Sequence, residues 1–304
     1  MKPLNVLIEF DKRQAEWVVV AYIGRDARMI EVIENNLDPH TRTAHLITGV
    51  PEDLIKKEAK IVGHHTDPEI IKRLRQEQVP ELFEDSSWFL LRTMALRQGG
   101  KKSNHALNYD MGYLRFALEN EVPNSESKRC CEAYQRAYPG VKAYQDFVKR
   151  CLYEDRTLID CYGNKRRFLG RDEDKLYKDA YSFLPQSTVV TMVNRAMVRI
   201  YNSKARFLRP LEGRAQVHDS LTYQYPLRAS VSGFFDLART CLVIKAFMSP
   251  VIEYHAKEFR IETDMKLGTN AGNMIEVPFA TSLRTMAINL QDAYQELMDG
   301  REGL

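Results

Sequence analysis

The chain has 304 residues, 44 basic and 41 acidic, for a net charge of +3; 44% are hydrophobic and 28% charged. This is the composition of an ordinary globular protein with room for one large domain or two modest ones, and no apolar run is long enough to span a bilayer as a helix. So mild a basic excess neither demands nor excludes a polyanionic partner, because local clustering outweighs the total.

The opening MKPLNVLIEFD meets acidic residues too soon for a signal peptide. Cys130, Cys131, Cys151, Cys161 and Cys241 form no CxxC pair, so reduced thiols in a cytoplasmic setting are expected. A strand is predicted over 4–10, ending at Asp11, and a helical stretch from about 13 to 35. Residues 50–90 are mixed and charged; within them TDPEIIKRLRQEQ reads as a helix capped by Thr66 or Asp67. His64 and His65 read as a surface loop. A helix pattern runs through about 88–109, and two more fill 124–156, broken at Pro139–Gly140. RTLIDCYGNKRRFLG reads as a hairpin with Gly163–Asn164 near its turn. A helix follows at about 180–203, then a hairpin at 215–226, a helix at about 230–257, a closing strand in FRIETDMKLGTN and an amphipathic helix over 281–299. Helices and strands mix without βαβ regularity, which predicts an α+β fold.

Two patterns carry chemistry. In AQVHDSLTYQYP, 215–226, alternating residues flank His218, Asp219 and Ser220, so the aspartate stands at a hairpin turn. It serves there as turn chemistry or as an exposed catalytic carboxylate. Asp11 also ends a strand, and two such carboxylates could share Mg²⁺, which takes few protein ligands beside substrate phosphates. In the second pattern Arg97, Lys101, His105 and Tyr109 are spaced by four and share one helix face. That face is a solvated basic surface beside a packed tyrosine, or a platform for phosphates and a base. Gly99 and Gly100 cost that helix about 1 kcal/mol each relative to Ala. They point to a close backbone approach or to a helix poorly ordered without substrate.

The order DKRQAEW, HTRTAHLITG, RQGGKKSNHALNYDMG, GNKRRF, LPQSTVVTMVNRAM, QVHDSL resembles the polymerase module of family A DNA polymerases, the bacterial DNA polymerase I family. That family's D-x-S-Q-x-E-L-R motif is met by Asp11, Gln14 and Glu16, with Arg13 in place of serine. Its R-x3-K-x7-Y-G motif is met by Arg97, Lys101 and Tyr109, with Asp110 in place of glycine. Its Q-V-H-D-E motif is met by Gln216, Val217, His218 and Asp219, with Ser220 in place of glutamate. The resemblance runs from about residue 4 to 275.

It implies template-directed addition of dNMP from dNTP to a primer 3′-OH. By the resemblance, Asp11 and Asp219 hold two Mg²⁺ ions, which Mn²⁺ can replace, with the Lys12 backbone carbonyl assisting. Arg97, Lys101 and His40 grip the triphosphate, with Gln14 beside them, and Lys101 protonates the leaving pyrophosphate. Glu16 blocks a ribose 2′-OH, Tyr109 sits against the nascent pair, and His105 stands where Phe or Tyr is usual. Gln186, Gln216 and His218 contact template or primer. Lys165, Arg166 and Arg167 contact the DNA backbone or form a solvated basic turn. The implied parts are palm over 1–48, fingers over 49–178 with a nucleotide-binding helix at 93–110, and palm over 179–304 with the catalytic hairpin and a C-terminal helix. No thumb is matched, so a second polypeptide supplying thumb, remaining palm and a 3′–5′ exonuclease is expected, in a split, phage-type polymerase. The alternative is a non-catalytic DNA-binding or scaffolding remnant. No membrane association is expected.

Overall fold

Apolar and polar residues alternate through Leu4–Lys12, which forms β1 with Val6, Ile8 and Phe10 turned into the core. The structure, a computed structural model, describes residues 4–85, 88–171 and 174–302. After β1 come α1 (Ala15–Ile23), α2 (Ala27–Glu34), α3 (Pro39–Thr48), α4 (Glu52–Val62) and α5 (Pro68–Gln78). Next are α6 (Leu96–Asn108), α7 (Tyr113–Asn120), α8 (Asn124–Ala137), α9 (Pro139–Glu154), β2 (Thr157–Ile159) and β3 (Lys165–Arg167). The chain then forms α10 (Asp174–Asn202), β4 (Glu212–Val217), β5 (Ser220–Leu227) and α11 (Val231–Met248). It closes with β6 (Ile252–Tyr254), β7 (Lys257–Phe259), β8 (Thr263–Asn270), β9 (Asn273–Glu276) and α12 (Leu283–Glu302). Two compact units result, one of Met1–Ala15 with Gln186–Leu304, the other of Glu16–Pro185.

The first unit is built on a five-stranded antiparallel sheet in the order β4-β5-β1-β8-β9. One face is apolar: Phe10, Leu221, Tyr223, Met265 and Leu267 pack with Val193, Leu237, Ile244, Met286 and Leu290 from the helices. The other face carries Glu9, Asp11, Thr222, Asp264 and Lys266, each half-buried. Period-two alternation on three adjacent strands sorts the residues this way. Among the described residues, β4 is an open edge and every residue in it is exposed.

The second unit is helical apart from the β2–β3 hairpin. Its core gathers Trp17, Tyr134, Tyr138, Tyr144, Val148 and Tyr181, all nearly solvent-free. Pro185 lies inside α10 and has no N–H for the Tyr181 carbonyl. The Tyr144 hydroxyl donates to that carbonyl instead, so the break in the helix ladder is satisfied from α9.

The α+β expectation agrees with the sheet and helices, and several boundaries change. The stretch 13–35 is two helices, because Arg25 takes left-handed backbone (φ 54°) after Gly24 and Asp26 then caps α2 by accepting the Met29 N–H at 2.9 Å. The helix expected over 88–109 begins only at Leu96, since Ala95 is extended (ψ 146°). The helix expected to reach 257 stops at Met248, where Pro250 disfavours helix at Ser249. The remainder forms the β6–β7 hairpin, turning at His255 and Ala256, both left-handed. The helix expected from 180 starts at Asp174, and β9 had no counterpart in the sequence reading. Asp67 is the cap of α5, accepting the Glu69 N–H at 2.9 Å. All five cysteines are free thiols, and among the described residues no helix is long and apolar enough to cross a membrane.

Candidate active site

In the first unit, β1 pairs with β5 from Leu4↔Leu227 to Phe10↔Leu221. One further step of that register brings Asp11 beside Ser220, at the turn where Asp219 sits. His218 makes the turn tight by adopting left-handed backbone (φ 52°). Ser220 closes it, its hydroxyl donating to the Val217 carbonyl at 3.0 Å. Burial, then the charge of Asp219, then that of Glu9 push the Asp11 carboxyl up to about 6, against the pull of Lys266. Glu9 is itself paired with Lys266 at 3.1 Å.

Lys12 points the opposite way. Its ammonium donates to the Ile261 carbonyl at 2.7 Å, Thr263 Oγ1 at 2.8 Å and Ser249 Oγ at 3.3 Å, and burial draws its pKa down to about 7. All three donors are used, so only the Lys12 backbone is left for a ligand. Arg13 reaches Asp264, Nε to Oδ2 at 3.0 Å, and Gln14 turns the chain with φ 51°. Gln186, Gln216 and His218 are exposed in this unit, and Gln216 Nε2 donates to Asn194 Oδ1 at 2.9 Å.

The helix face belongs to the second unit. Asp38 caps α3 by accepting the backbone N–H groups of His40 (3.3 Å) and Thr41 (3.2 Å). The same carboxylate takes Arg97 Nε at 2.6 Å and a second guanidinium nitrogen at 3.1 Å. Burial pushes the Asp38 carboxyl up, but Arg97 and Thr41 outweigh it and hold it below its ordinary value. His40 Nδ1 lies 3.2 Å from the Asn104 amide. Burial, with Arg97 and Lys101 adding to it against Asp38, lowers His40 to about 4. The ring is therefore neutral at pH 7 and would meet a phosphate through an N–H, not as a cation.

At the C-terminal end of α6, the hydroxyl of Tyr109, its C-cap residue, donates to Glu16 Oε2, and His105 Nδ1 lies 3.7 Å from the same oxygen. The two rings meet edge to face at 5.5 Å. Burial and then Glu16 raise the Tyr109 phenol far above its ordinary range, so it stays a proton donor. Lys101 is exposed. The glycines have a packing reason. A Cβ on Gly100 would stand 2.1 Å from the His40 carbonyl oxygen, so α3 and α6 meet there backbone to backbone.

Five expected residues thus cluster at α6 in two groups, Arg97 with His40, and Glu16 with Tyr109 and His105. Lys165, Arg166 and Arg167 are exposed on β3, apart from these groups, and Arg166 stacks over Phe168 at 4.7 Å. His64 and His65 are exposed after α4. Sequence reasoning missed Asp38, Glu9 and Lys266. Asp38 had a signal, a capping residue before Pro39; Glu9 lies two residues before Asp11 and so shares its face.

His40 gives a pH expectation. A lowered folded pKa means the folded state resists the proton. The stability tied to a neutral His40 is full above about pH 6.5 and is lost as pH falls through 4. Relative to wild type, His40→Gln should recover up to roughly 3 kcal/mol at pH 4 and nothing at pH 8, read from urea melts at both values. Equal differences at the two pH values would show that the imidazole does not titrate this way.

A family model described as DNA polymerase family A matches residues 85–272, more than half of the chain. The chain belongs to that family. DNA polymerase I of Borreliella burgdorferi is 23% identical over 234 residues, covering 73% of this chain and 21% of that protein. The thermostable DNA polymerase I of Thermus aquaticus is likewise 23% identical over 234 residues, 73% of this chain and 23% of its own length. The chain thus spans about a fifth of the length of these relatives. The fold is similar to the POL domain of Pol1 from M. smegmatis, in complex with DNA primer-template and dNTP. There the TM-score is 0.61 and the identity 18%, over 87% of this chain and 39% of that one.

Proposed function

We propose that this chain carries the nucleotide-adding centre of a DNA polymerase, extending a primer 3′-OH with dNMP from dNTP under template direction. The observation that carries the reading is the carboxylate pair of Asp11, on β1, and Asp219, in the β4–β5 turn. Asp11 is raised to about 6 by burial and by Asp219, a repulsion that a divalent cation relieves. Among the described residues no group of three or more His, Cys, Asp or Glu could hold a metal by itself. Mg²⁺, or Mn²⁺ in its place, takes few protein ligands, and Asp11, Asp219 and the Lys12 carbonyl would hold it together with substrate phosphates. When bound, such ions supply Lewis acids for the oxygens of phosphoryl transfer.

The rest is the work of side chains. Arg97 and Lys101 neutralise the triphosphate, His40 donates an N–H to it, and Lys101 protonates the departing pyrophosphate. Arg97 must share or leave Asp38 to do so. Glu16, held by Tyr109, fills the space of a ribose 2′-OH, and His105 lines the same wall. Gln186, Gln216, His218, Lys165, Arg166 and Arg167 contact the nucleic acid. In this reading the palm is 1–48 with 179–304, which includes the sheet unit, and the fingers are 49–178, within the helical unit. A further element, from the same polypeptide or a partner, covers exposed Val190, Val198, Tyr201 and Val217 and grips the duplex. A split, phage-type polymerase with a separate thumb and exonuclease chain is one form of that arrangement. Ser220, in place of a glutamate, favours a second reading as a non-catalytic remnant.

Primer extension with Mg²⁺ and dNTP, with and without proteins that co-purify, tests the proposal; no addition under either condition would leave the remnant reading. Lys101→Ala should lower kcat/KM for dNTP about 10–100-fold, the value of a lost charge-assisted hydrogen bond. Single-turnover kinetics equal to wild type would remove Lys101 from the phosphate site. Glu16→Ala should admit rNTP, measured as the ratio of dNTP to rNTP incorporation, and an unchanged ratio would place the sugar gate elsewhere.

A further inference from the structure

The helix that carries Arg97 and Lys101 has no cap of its own, since Ala95 at its N-cap position offers no side-chain acceptor. The acceptor comes from α4. Glu58 Oε2 takes the Leu96 N–H at 2.9 Å, while Oε1 takes Arg75 Nε at 3.0 Å and a terminal guanidinium nitrogen at 2.6 Å. Arg75, from α5, also donates to the carbonyls of Leu91 (2.5 Å) and Met94 (3.0 Å), which lie in the segment feeding α6. Glu58 is 0% and Arg75 3% exposed.

A buried ion pair is poor evidence of stabilisation, because desolvation offsets the attraction. Its value here is geometric. Two earlier helices, α4 and α5, are tied to the first turn of α6 and to the segment feeding it, and all the hydrogen bonds converge on two side chains. The Glu58 carboxylate also occupies the positive end of α6. A triphosphate is thereby left to the cations on the flank of the helix, not to its N-terminus.

We propose that Glu58 and Arg75 are positioning residues for the nucleotide-gripping face of α6. They fix where the helix starts, and so where Arg97, one residue after the capped Leu96, presents its guanidinium. This rests on α6 being the dNTP helix. Both residues precede the segment matched by the family model, 85–272.

Single variants Glu58→Leu and Arg75→Met each strand a buried charge and should lower Tm by roughly 10 °C. The double variant Glu58→Leu/Arg75→Met removes both charges but leaves the Leu96 N–H and the Leu91 and Met94 carbonyls without these partners, so it should melt below wild type but above either single variant. It should also raise the KM for dNTP about fivefold, the scale of a lost helix cap, with kcat and primer–template Kd within about twofold. Amide exchange at Leu96 and at Gly99 to Lys101 should quicken about fivefold while α8 and α9 keep wild-type protection. A double variant with wild-type KM and exchange overturns the proposal. So does exchange that quickens evenly across α8, α9 and α6, the mark of general loosening. Exchange is read without nucleotide, so it judges the cap even if the wild-type chain extends no primer, a result that would count against the polymerase reading instead.

Discussion

Asp11→Asn is expected to abolish nucleotide addition and, in the same protein, to raise stability. The loss follows from removing a carboxylate that acts where charge develops in phosphoryl transfer; an effect of at least roughly 10³-fold on kcat is expected. The gain follows from the electrostatics of the free protein. Burial, Asp219 and Glu9 hold the Asp11 carboxyl at about 6, against 3.8 for an unconstrained aspartate. An acid with a raised folded pKa weakens the fold at every pH above that value, and a neutral amide of the same shape removes the penalty. With partial solvent screening, a gain of about 1–2 kcal/mol at pH 7.5 is expected, shrinking as pH falls toward 4. Asp219→Asn should be equally inactive. Both should bind primer–template nearly as wild type does, because phosphate contacts elsewhere dominate that affinity. Urea melts beside single-turnover extension decide the matter: an inactive Asp11→Asn that is also less stable would make the residue structural, and an active one would remove it from the reaction.

Gly100→Ala and Gly99→Ala should differ sharply although the residues are adjacent. At Gly100 the new Cβ meets backbone on α3, the His40 carbonyl oxygen at 2.1 Å and the Ala44 nitrogen at 2.9 Å. Backbone cannot rotate aside, so the helices must separate at a cost of about 2–3 kcal/mol. Because His40 and Arg97 lie at that crossing, dNTP KM should rise as well. At Gly99 the first obstacle is the Leu91 Cδ1 atom at 1.8 Å, the end of a side chain that can change rotamer. The gain in helix propensity, about 1 kcal/mol, offsets that rearrangement, and a change within about 1 kcal/mol is expected. Thermal melts of the two variants test the difference. A Gly100→Ala protein as stable as Gly99→Ala would mean that α3 and α6 are not in backbone contact there.

Much of this was legible in residue order. Period-two alternation around Asp219 announced the hairpin, since a strand's faces are set by sequence parity. Four-residue spacing put Arg97, Lys101, His105 and Tyr109 on one helix, and the motifs in their order carried the family. Local chemistry also marked its own boundaries, as at Asp67 before α5 and Gly163 in the β2–β3 turn (φ 85°).

What the sequence could not state was anything requiring two distant segments to meet. The start of α6 depends on Glu58, 38 residues earlier, so the periodic pattern overran it by several residues. Whether Gly99 and Gly100 meant disorder or close approach depended on α3, and the crossing decided for close approach. Lys12 looked like any basic residue beside an acidic site, yet strand parity and three acceptors on distant segments turned its ammonium into the core. By itself the sequence determined which residue types lie on which face, because strand and helix periods are local. Only the tertiary structure decided which faces meet, because a carboxylate's partners, burial and pKa are set by neighbours that chain order does not bring near.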